Sequence, residues 1–427
     1  MGRSRLFTRP RNSKRDFWKV KTAQAAEPLS SREFQAVCLV TAAHFLSHFY
    51  QFVLPPVFGL MAIKLNVGFT EMGLAITVFS IATGISQTPA GFLVDRLGAS
   101  KLLVLGVAVI GAAVACYGLV TSYWALLPLA AIAGCANSIF HPADFAILSN
   151  QVAEQRIGRA FSFHAVSGNL GWAAAPIVML GISATFNIET AFISVGLAGV
   201  ALSIILAINS ERLEHGISCS VQKTDKSQRP RGGTTKEGLT LLLSRAVLML
   251  FIFQLVYAMA FAGVRNFSVA ALPVIWGISA EVAAGALTGY LLAASFGNIV
   301  GGWLADRTGN PARLFTFSIL SLSALVASFA SLPMSLAVLT SAFLTAGALQ
   351  GSLLPARDML VRQIAPPGQM GKLFGFTSSG LALGNAITPA IFGWVMDNAD
   401  ARWVFWGSSA CMLIALLTYV ETRRQAG

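Results

Sequence analysis

Residues 91–98 read GFLVDRLG, and residues 302–309 read GWLADRTG. Each copy closes an apolar run with an Asp-Arg pair, and the second copy begins 211 residues after the first. A longer segment, residues 158–176, is matched 213 residues later by residues 371–389, with Phe, Gly and Pro at equivalent positions. Agreement at two related shifts predicts that the chain consists of two homologous halves.

The composition of the 427-residue chain predicts a membrane protein. Hydrophobic residues make up 55% of it and charged residues only 11%, whereas a soluble domain carries roughly 25% charged residues. About twenty consecutive apolar residues span a bilayer, and six runs of this kind occur in each half. They fall near residues 35–62, 70–94, 101–121, 124–150, 158–186 and 189–209, and near residues 245–275, 282–305, 313–331, 334–361, 371–396 and 402–420.

The placement of the basic residues indicates which loops of the chain face the cytoplasm. The formal net charge is +12, and Lys and Arg crowd the first 32 residues, the stretch 212–245 and every second loop. The alternate loops carry almost none, which is the positive-inside pattern. We therefore expect a multi-pass protein of a bacterial inner membrane, surrounded by the lipid bilayer, with both termini in the cytoplasm and no nucleic-acid partner.

These patterns predict an all-α membrane protein in which twelve transmembrane helices form two pseudo-symmetric six-helix bundles. Residues 211–243 are polar and rich in Ser, Thr, Lys, Arg and Gly, so they cannot form a core of their own. The predicted segments are a basic cytoplasmic tail (1–33), a first bundle (34–210), a cytoplasmic linker (211–243), a second bundle (244–422) and a short cytoplasmic tail (423–427).

The repeated Asp-Arg motif resembles the signature of the major facilitator superfamily, and the resemblance extends over about residues 34–422. It implies the major facilitator fold. In that family the Asp and Arg of the motif latch neighbouring helices on the cytoplasmic side, which implies a role in gating more than in substrate binding. The gating residues implied for this chain are Gly91, Asp95, Arg96, Gly302, Asp306 and Arg307.

A second set of residues is similar to the fosmidomycin-resistance branch of drug exporters in the same family. Residues 137–144 read NSIFHPAD, and residues 163–171 begin with Phe-His and end with Gly-Asn-Leu-Gly. That branch has a similar F-H-P stretch and a later G-N-x-G. The resemblance implies a secondary active transporter that works by alternating access and exports a small drug-like or anionic solute, coupled to protons. Two alternatives stay open: proton-coupled uptake of a small organic or inorganic anion, and a receptor or scaffold that kept the fold without transport.

Ionisable residues inside the predicted spans indicate a proton relay. A charged side chain at membrane depth is costly, so we expect it to line a cavity and to have a partner. Four of the five histidines lie in predicted spans, and imidazole titrates close to neutral pH. The alternative is that single histidines only hydrogen-bond a neighbouring helix. The candidates for the relay are Asp144, His141, His44, His48 and His164.

Two intramembrane arginines predict an anionic or zwitterionic substrate. At the 213-residue shift Asp144 is equivalent to Arg357, so these two residues are either a structural ion pair across the halves or part of a working site. Asp144 and Arg357 fall in the cytoplasmic third of their spans, whereas Arg265 lies nearer the periplasmic side. We therefore do not expect one compact site that contains these three residues. The candidates for substrate contact are Arg265, Arg357, Asn137, Gln51 and Asn266, with Phe49, Tyr50, Tyr257 and Phe261 as apolar walls.

No sequence pattern indicates an enzyme or a primary pump. The chain lacks a G-x-x-x-x-G-K-[ST] phosphate-binding loop. Its five cysteines and five histidines do not have the spacing of a zinc site or a disulfide framework. We therefore expect a protein without cofactor or metal, which draws its energy from an ion gradient or from the gradient of the solute. We also expect it to be a monomer.

Overall fold

The structure is a computed structural model, and it describes residues 29–214, 244–308, 310–364 and 370–426. The predicted basic tail up to residue 28 and the predicted linker from residue 215 onward lie outside the described residues. The first helix begins at Ser31, two residues before the predicted end of the tail. The last helix continues through Ala426, so most of the predicted carboxyl-terminal tail is helical.

Twelve helices in the described part of the chain are long and apolar enough to cross a membrane, which confirms the predicted fold class. The first six are α1 (Ser31–Leu65), α2 (Phe69–Leu97), α3 (Ala99–Leu119), α4 (Tyr123–Gln151), α5 (Ile157–Thr185) and α6 (Ile188–Ile208). The second six are α7 (Arg245–Trp276), α8 (Ala280–Thr308), α9 (Pro311–Ser331), α10 (Leu336–Ile364), α11 (Met370–Asn398) and α12 (Trp403–Ala426).

Two of the spans are interrupted next to prolines. In α1 a short 3-10 helix at Pro55–Val57 separates the first part from Phe58–Leu65. In α4 the helix Tyr123–Asn137 ends and a second helix, Phe140–Gln151, begins two residues before Pro142. Proline has no N–H to donate to the preceding turn, so a helix breaks or bends at this point. The break in α4 lies beside the polar residues of the candidate site.

The helices alternate in direction, so the molecule has two faces. We call the end that carries Arg96, Arg156 and Arg307 the Arg96 face, and the opposite end, which carries Asp397, the Asp397 face. Glu33 at the start of α1 accepts hydrogen bonds from the Arg156 guanidinium after α4, at 3.0 to 3.2 Å. This ion pair ties two helix ends together at the Arg96 face.

The two halves meet between α2 and α11 and between α5 and α8. The Thr77 hydroxyl of α2 donates to the carbonyl oxygen of Ala386 in α11 at 2.5 Å. The Thr288 hydroxyl of α8 donates to the carbonyl oxygen of Ala173 in α5 at 3.0 Å. Both bonds lie between the middle of these helices and the Asp397 face, so the halves are joined on that side of the molecule.

Candidate functional site

The five residues predicted for a proton relay lie together inside the first half. His44 and His48 are one turn apart on α1 and therefore share a face. His141 and Asp144 are three residues apart on the second part of α4, and His164 projects from α5. We call these four imidazoles and one carboxylate the histidine cluster.

Asp144 is the centre of the histidine cluster and is fully buried. Its Oδ2 atom lies 3.0 Å from His44 Nδ1 and 3.0 Å from His164 Nε2, so each imidazole donates to the carboxylate when that nitrogen carries a proton. The rings of His44 and His164 stack with their centroids 3.5 Å apart. A buried carboxylate is stable only when it is hydrogen-bonded and its charge is compensated. The two imidazoles meet both needs when one of them is protonated.

The remaining members of the cluster have unused hydrogen-bonding capacity. Both ring nitrogens of His48, His141 Nδ1 and Asp144 Oδ1 are buried and have no hydrogen-bond partner among the described residues. The His141 ring lies 5.2 Å from the ring of His44 and 6.1 Å from that of His48. The His141 ring therefore lies close to two other imidazoles of the cluster without a hydrogen bond to either of them among the described residues.

Gly168 allows α5 to approach the imidazoles of α1. A Cβ atom built at this position would lie 2.8 Å from His44 Nε2 and 2.8 Å from His48 Cε1. Gly168→Ala is therefore expected to displace the rings and to cost about 1–3 kcal/mol of stability through overpacking. Thermal unfolding of the purified protein measures this loss.

Gly181 on the same helix provides the matched control, because a Cβ atom there meets nothing within 4 Å. Gly181→Ala is expected to melt at or slightly above the parent temperature, since alanine is the better helix former. Equal melting temperatures for both variants would contradict the tight approach of α5 to the histidine cluster.

Three members of the cluster form a group that a metal ion could reach. His44, His141 and His164 each offer a ring nitrogen, and these atoms lie within 4.8 Å of one another. This limit is looser than the roughly 3.3 Å that separates ligand nitrogens around tetrahedral zinc. Asp144 already engages two of the three rings, so a metal would have to rearrange the cluster.

Arg265 of α7 is a charged residue inside the second half that contacts the first half. Its Nη2 atom donates to Asn385 Oδ1 of α11 at 3.0 Å. Its guanidinium carbon lies 5.3 Å from the centre of the Trp172 ring, which belongs to α5. Arg265 therefore has an amide partner in its own half and an aromatic partner in the other half.

A cavity lies beside Arg265, between the two halves. Its volume is about 80 Å³, which is enough for water but not for an organic solute, so a solute needs the helices to separate. The lining combines one cation, several amides and three aromatic rings. We call it the arginine cavity, and it is lined by Asn169, Trp172, Phe261, Arg265, Tyr290, Leu291, Ala294, Ser295, Asn298, Gln350 and Leu354.

Trp172 joins the histidine cluster to the arginine cavity. Its ring lies 4.4 Å from the ring of His48, and it also contacts Arg265. Neither Trp172 nor Asn385 was predicted as a site residue. A signal for both is present in the sequence, because they are equivalent at the 213-residue shift and lie on equivalent helices of the two halves.

Arg357 and Asp144 do not form the ion pair that was one of the two predicted alternatives. Arg357 donates to Asp358 Oδ1 through Nε at 3.0 Å and Nη2 at 2.9 Å, and its guanidinium carbon lies 5.4 Å from the ring of Tyr257. Asp144 is held by His44 and His164. Asp144 and Arg357 thus have their hydrogen-bond partners within their own halves.

The other predicted contact residues are divided among several places. Gln51 Nε2 donates to Asn137 Oδ1 at 3.3 Å, within the first half. Asn266 is buried beside Arg265 but does not line the arginine cavity. Of the predicted apolar walls Phe261 lines this cavity. Phe49, Tyr50 and Tyr257 belong to the packed core.

The residues of the gating motif lie at the Arg96 face. Asp95 and Arg96 are exposed at the end of α2, and a Cβ atom built at Gly91 would meet nothing within 4 Å. Arg307 lies over the ring of Trp303, 5.1 Å from its centre, and Gly302 precedes that residue. The side chain of Asp306 lies outside the described residues.

Comparison with known proteins identifies the family. The sequence profile of the Major Facilitator Superfamily matches residues 40–275 and 255–427. The chain belongs to this superfamily. The match confirms the resemblance of the Asp-Arg motif, and it makes the chain a secondary transporter rather than an enzyme, as predicted.

Proteins similar to this chain in sequence include drug-resistance proteins. The fosmidomycin resistance protein of Escherichia coli (strain K12) is 24% identical over 408 residues, which cover 93% of this chain and 95% of that protein. The multidrug resistance protein MdtH of Enterobacter sp. (strain 638) is 25% identical over 374 residues and covers 83% of this chain and 88% of its own. The 24% identity over nearly the whole chain confirms the predicted likeness to a fosmidomycin-resistance protein.

Solved structures with the same fold are also transporters. A bacterial homologue of the human lysosomal transporter Spinster, in its inward-facing and unoccupied conformation, has a TM-score of 0.77 at 15% identity and covers 93% of this chain and 98% of its own. The nucleoside transporter NupG has a TM-score of 0.71 at 15% identity, with 92% of this chain and 99% of its own covered. At these identities the likeness concerns the fold.

Proposed function

We propose that this secondary transporter moves a small anionic or drug-like organic solute by alternating access and couples its movement to protons. The observation that carries the proposal is the histidine cluster around buried Asp144, next to a cavity with Arg265, whose partners among the described residues are an amide and an aromatic ring. A carboxylate with four imidazoles suits reversible protonation near neutral pH. An arginine among amides and aromatic rings suits an anionic group attached to an organic body.

We further propose a bacterial inner-membrane location with the Arg96 face in the cytoplasm and both termini on that side. The basic loops lie at this face, as the positive-inside rule requires. In this orientation the bundle contacts near the Asp397 face close the periplasmic side, and the arginine cavity would open toward the cytoplasm. The transporter would act as a monomer, because each pair of bundles encloses one pathway.

Flux into proteoliposomes tests the proposed function. Fosmidomycin is the first probe, because a relative carries its name, and simple sulfonates and carboxylates follow it. The expected result is solute movement that depends on the protein and speeds up when a pH gradient is imposed. Flux that ignores the gradient for every solute transported would remove proton coupling, and the absence of any flux would favour the non-transporting receptor.

Arg265→Gln is expected to weaken anion binding by about tenfold to a hundredfold, since a charge-assisted hydrogen bond is worth about 1.5–3 kcal/mol. Arg265→Lys keeps the charge but loses the forked geometry of the guanidinium group. Its affinity for the anion should therefore lie between those of the parent protein and of Arg265→Gln. Calorimetric titration of the purified protein with the transported solute measures the affinity. Arg313→Gln at the surface of α9 is the control, and an equal loss in that variant would contradict a specific role for Arg265.

Direction depends on how protons and the solute influence each other. Export by exchange, which the drug-resistance relatives favour, requires that the proton and the solute compete for the same transporter. Uptake by symport requires that they bind together. The second candidate function, uptake of an anion, is favoured by the contact of Trp172 with both His48 and Arg265.

A further inference from the structure

We infer that Trp172 couples the charge of the histidine cluster to the anion site at Arg265, so that a proton and an anion bind together and not in exchange. This inference rests on the proposed function, because it assigns the sign of the coupling between the two sites proposed there. It makes Trp172 a positioning residue that acts through its neighbours, and it was not among the predicted site residues.

The Trp172 side chain contacts both the histidine cluster of the first half and Arg265 of the second half. Trp172 lies on α5 and lines the arginine cavity. Its ring is 4.4 Å from the His48 ring, with 35° between the planes, and 5.3 Å from the guanidinium carbon of Arg265. Any rotation of the indole therefore changes the surroundings of a titratable group in one half and of a permanent cation in the other.

His48 is the member of the cluster whose charge would depend most on an anion bound at Arg265. His44 and His164 are held by Asp144, whereas neither nitrogen of His48 has a hydrogen-bond partner among the described residues. A proton on His48 breaks no existing bond, but a buried imidazolium without a hydrogen-bond acceptor is unfavourable, so we expect His48 to stay neutral until an anion near Arg265 compensates its charge. The charged and titratable groups that face it are His44, His141, His164 and Asp144 within the cluster and Arg265 across the indole.

The sign of the coupling follows from electrostatics. A proton on His48 places a second positive charge near Arg265. The indole of Trp172 contacts both of these side chains. Two cations in a medium of low dielectric constant repel each other, and an anion bound at Arg265 relieves that repulsion. A proton in the cluster therefore strengthens anion binding, and by thermodynamic reciprocity the anion strengthens proton binding to the same degree.

The Trp172 indole also determines where the Arg265 side chain lies before an anion binds. The face of Trp172 attracts the Arg265 guanidinium, which holds the arginine in place before a solute arrives. When His48 is protonated, this second cation competes for the electron-rich ring. Arg265 then becomes freer to turn toward an anion in the cavity, which adds to the direct effect of charge.

Binding of benzenesulfonate to the full-length protein at two pH values tests the inference. This anion keeps its charge over the whole range, so only the protein titrates. Affinity is measured by calorimetry in EDTA, which excludes metal binding by the imidazoles, at about pH 5.5 and about pH 8, on either side of the usual titration range of histidine. The expected result is binding about tenfold tighter at the lower pH, a usual size for coupling between two sites.

Three variants separate the coupling from the anion site itself. Trp172→Leu and His48→Gln should each remove most of the pH effect while they leave measurable binding at the higher pH. Trp172→Phe keeps an aromatic ring and should keep part of the effect, so a leucine variant that fails to fold does not end the test. Trp124→Leu is the matched control, because Trp124 is 76% exposed and should behave as the parent protein does.

The outcomes distinguish this inference from the proposed function. Affinity that is equal or weaker at low pH in the parent protein overturns the inference and leaves the anion site standing. A full pH effect in both Trp172→Phe and Trp172→Leu, or in His48→Gln, overturns the role of these residues. Absence of saturable binding at both pH values would remove the proposed anion site, and the inference with it.

Discussion

Asp144→Asn is expected to abolish solute accumulation driven by a pH gradient while the protein remains folded. Asparagine has nearly the same shape and can still accept a hydrogen bond from His44 or His164, which both lie 3.0 Å from Asp144 Oδ2. It carries no charge, so the neighbouring imidazoles lose the anion that makes a proton favourable there. We expect the gradient-driven component of transport to fall at least about tenfold, the factor that corresponds to about 1.4 kcal/mol.

Two transport assays in proteoliposomes measure this effect. Accumulation is followed under an imposed pH gradient, and exchange of labelled for unlabelled solute is followed without one. Exchange needs no net proton movement, so it should survive in Asp144→Asn. The control is Asp95→Asn, which removes an exposed acid of the gating motif and should slow both assays alike. Accumulation by Asp144→Asn at the parent rate would exclude the histidine cluster from proton coupling.

Much of the fold could be predicted because each signal was local. A bilayer requires long apolar helices, and the twelve runs were long enough to be counted. The histidine cluster could be predicted in part for a similar reason. Helix periodicity places His44 and His48 on one face of their helix, and His141 and Asp144 on one face of theirs. Spacing within one helix therefore identified which residues share a face, and the hydrophobic surroundings implied that polar faces turn toward one another.

The pairing between helices could not be derived from spacing. Asp144 and Arg357 occupy equivalent positions on α4 and α10, and His44 and Tyr257 occupy equivalent positions on α1 and α7. Each half repeats the same contact with different chemistry: Asp144 meets His44, and Arg357 lies over Tyr257. Residues related by a pseudo-twofold axis touch each other only when they lie next to that axis. Equivalent positions therefore predicted similar surroundings for the two charges, but not contact between them.

Trp172 and Asn385 illustrate the complementary case. They are equivalent on α5 and α11, and both contact Arg265. One arginine of α7 thus bridges two positions that the duplication makes equivalent, which places all three close to the boundary between the halves. A tryptophan and an asparagine have no common chemistry, so their equivalence in the sequence does not indicate that both contact the same arginine.

Asp397→Ala is expected to shift the protein away from the conformation in which the Asp397 face is closed. Asp397 caps the first turn of α2 from the other half: Oδ1 accepts from the Phe69 amide at 2.8 Å, and Oδ2 accepts from the Thr70 amide at 2.7 Å and from its hydroxyl at 2.6 Å. A carboxylate at a helix amino terminus also interacts favourably with the helix dipole.

These bonds can exist only while the two halves touch, so their free energy belongs to one conformation. Each contributes about 0.5–1.5 kcal/mol, and the exposure of Asp397 favours the lower part of that range. Loss of all three should shift the equilibrium by about 1–3 kcal/mol, or roughly 5- to 150-fold. Thr70→Val removes only the hydroxyl bond and should produce about a third of the shift in free energy.

Distances between spin labels at Ile63 and Leu332, in a cysteine-free background, measure the opening. Both residues are well exposed at the Asp397 face, one in each half. Asp397→Ala should add a population with a longer distance. Asp400→Ala is the matched control, because Asp400 pairs with Arg402 of its own half and should leave the distances unchanged. An unchanged distribution in Asp397→Ala would mean that the close backbone packing of α2 on α11, where Gly73 lies against Pro389, keeps this face closed without the cap.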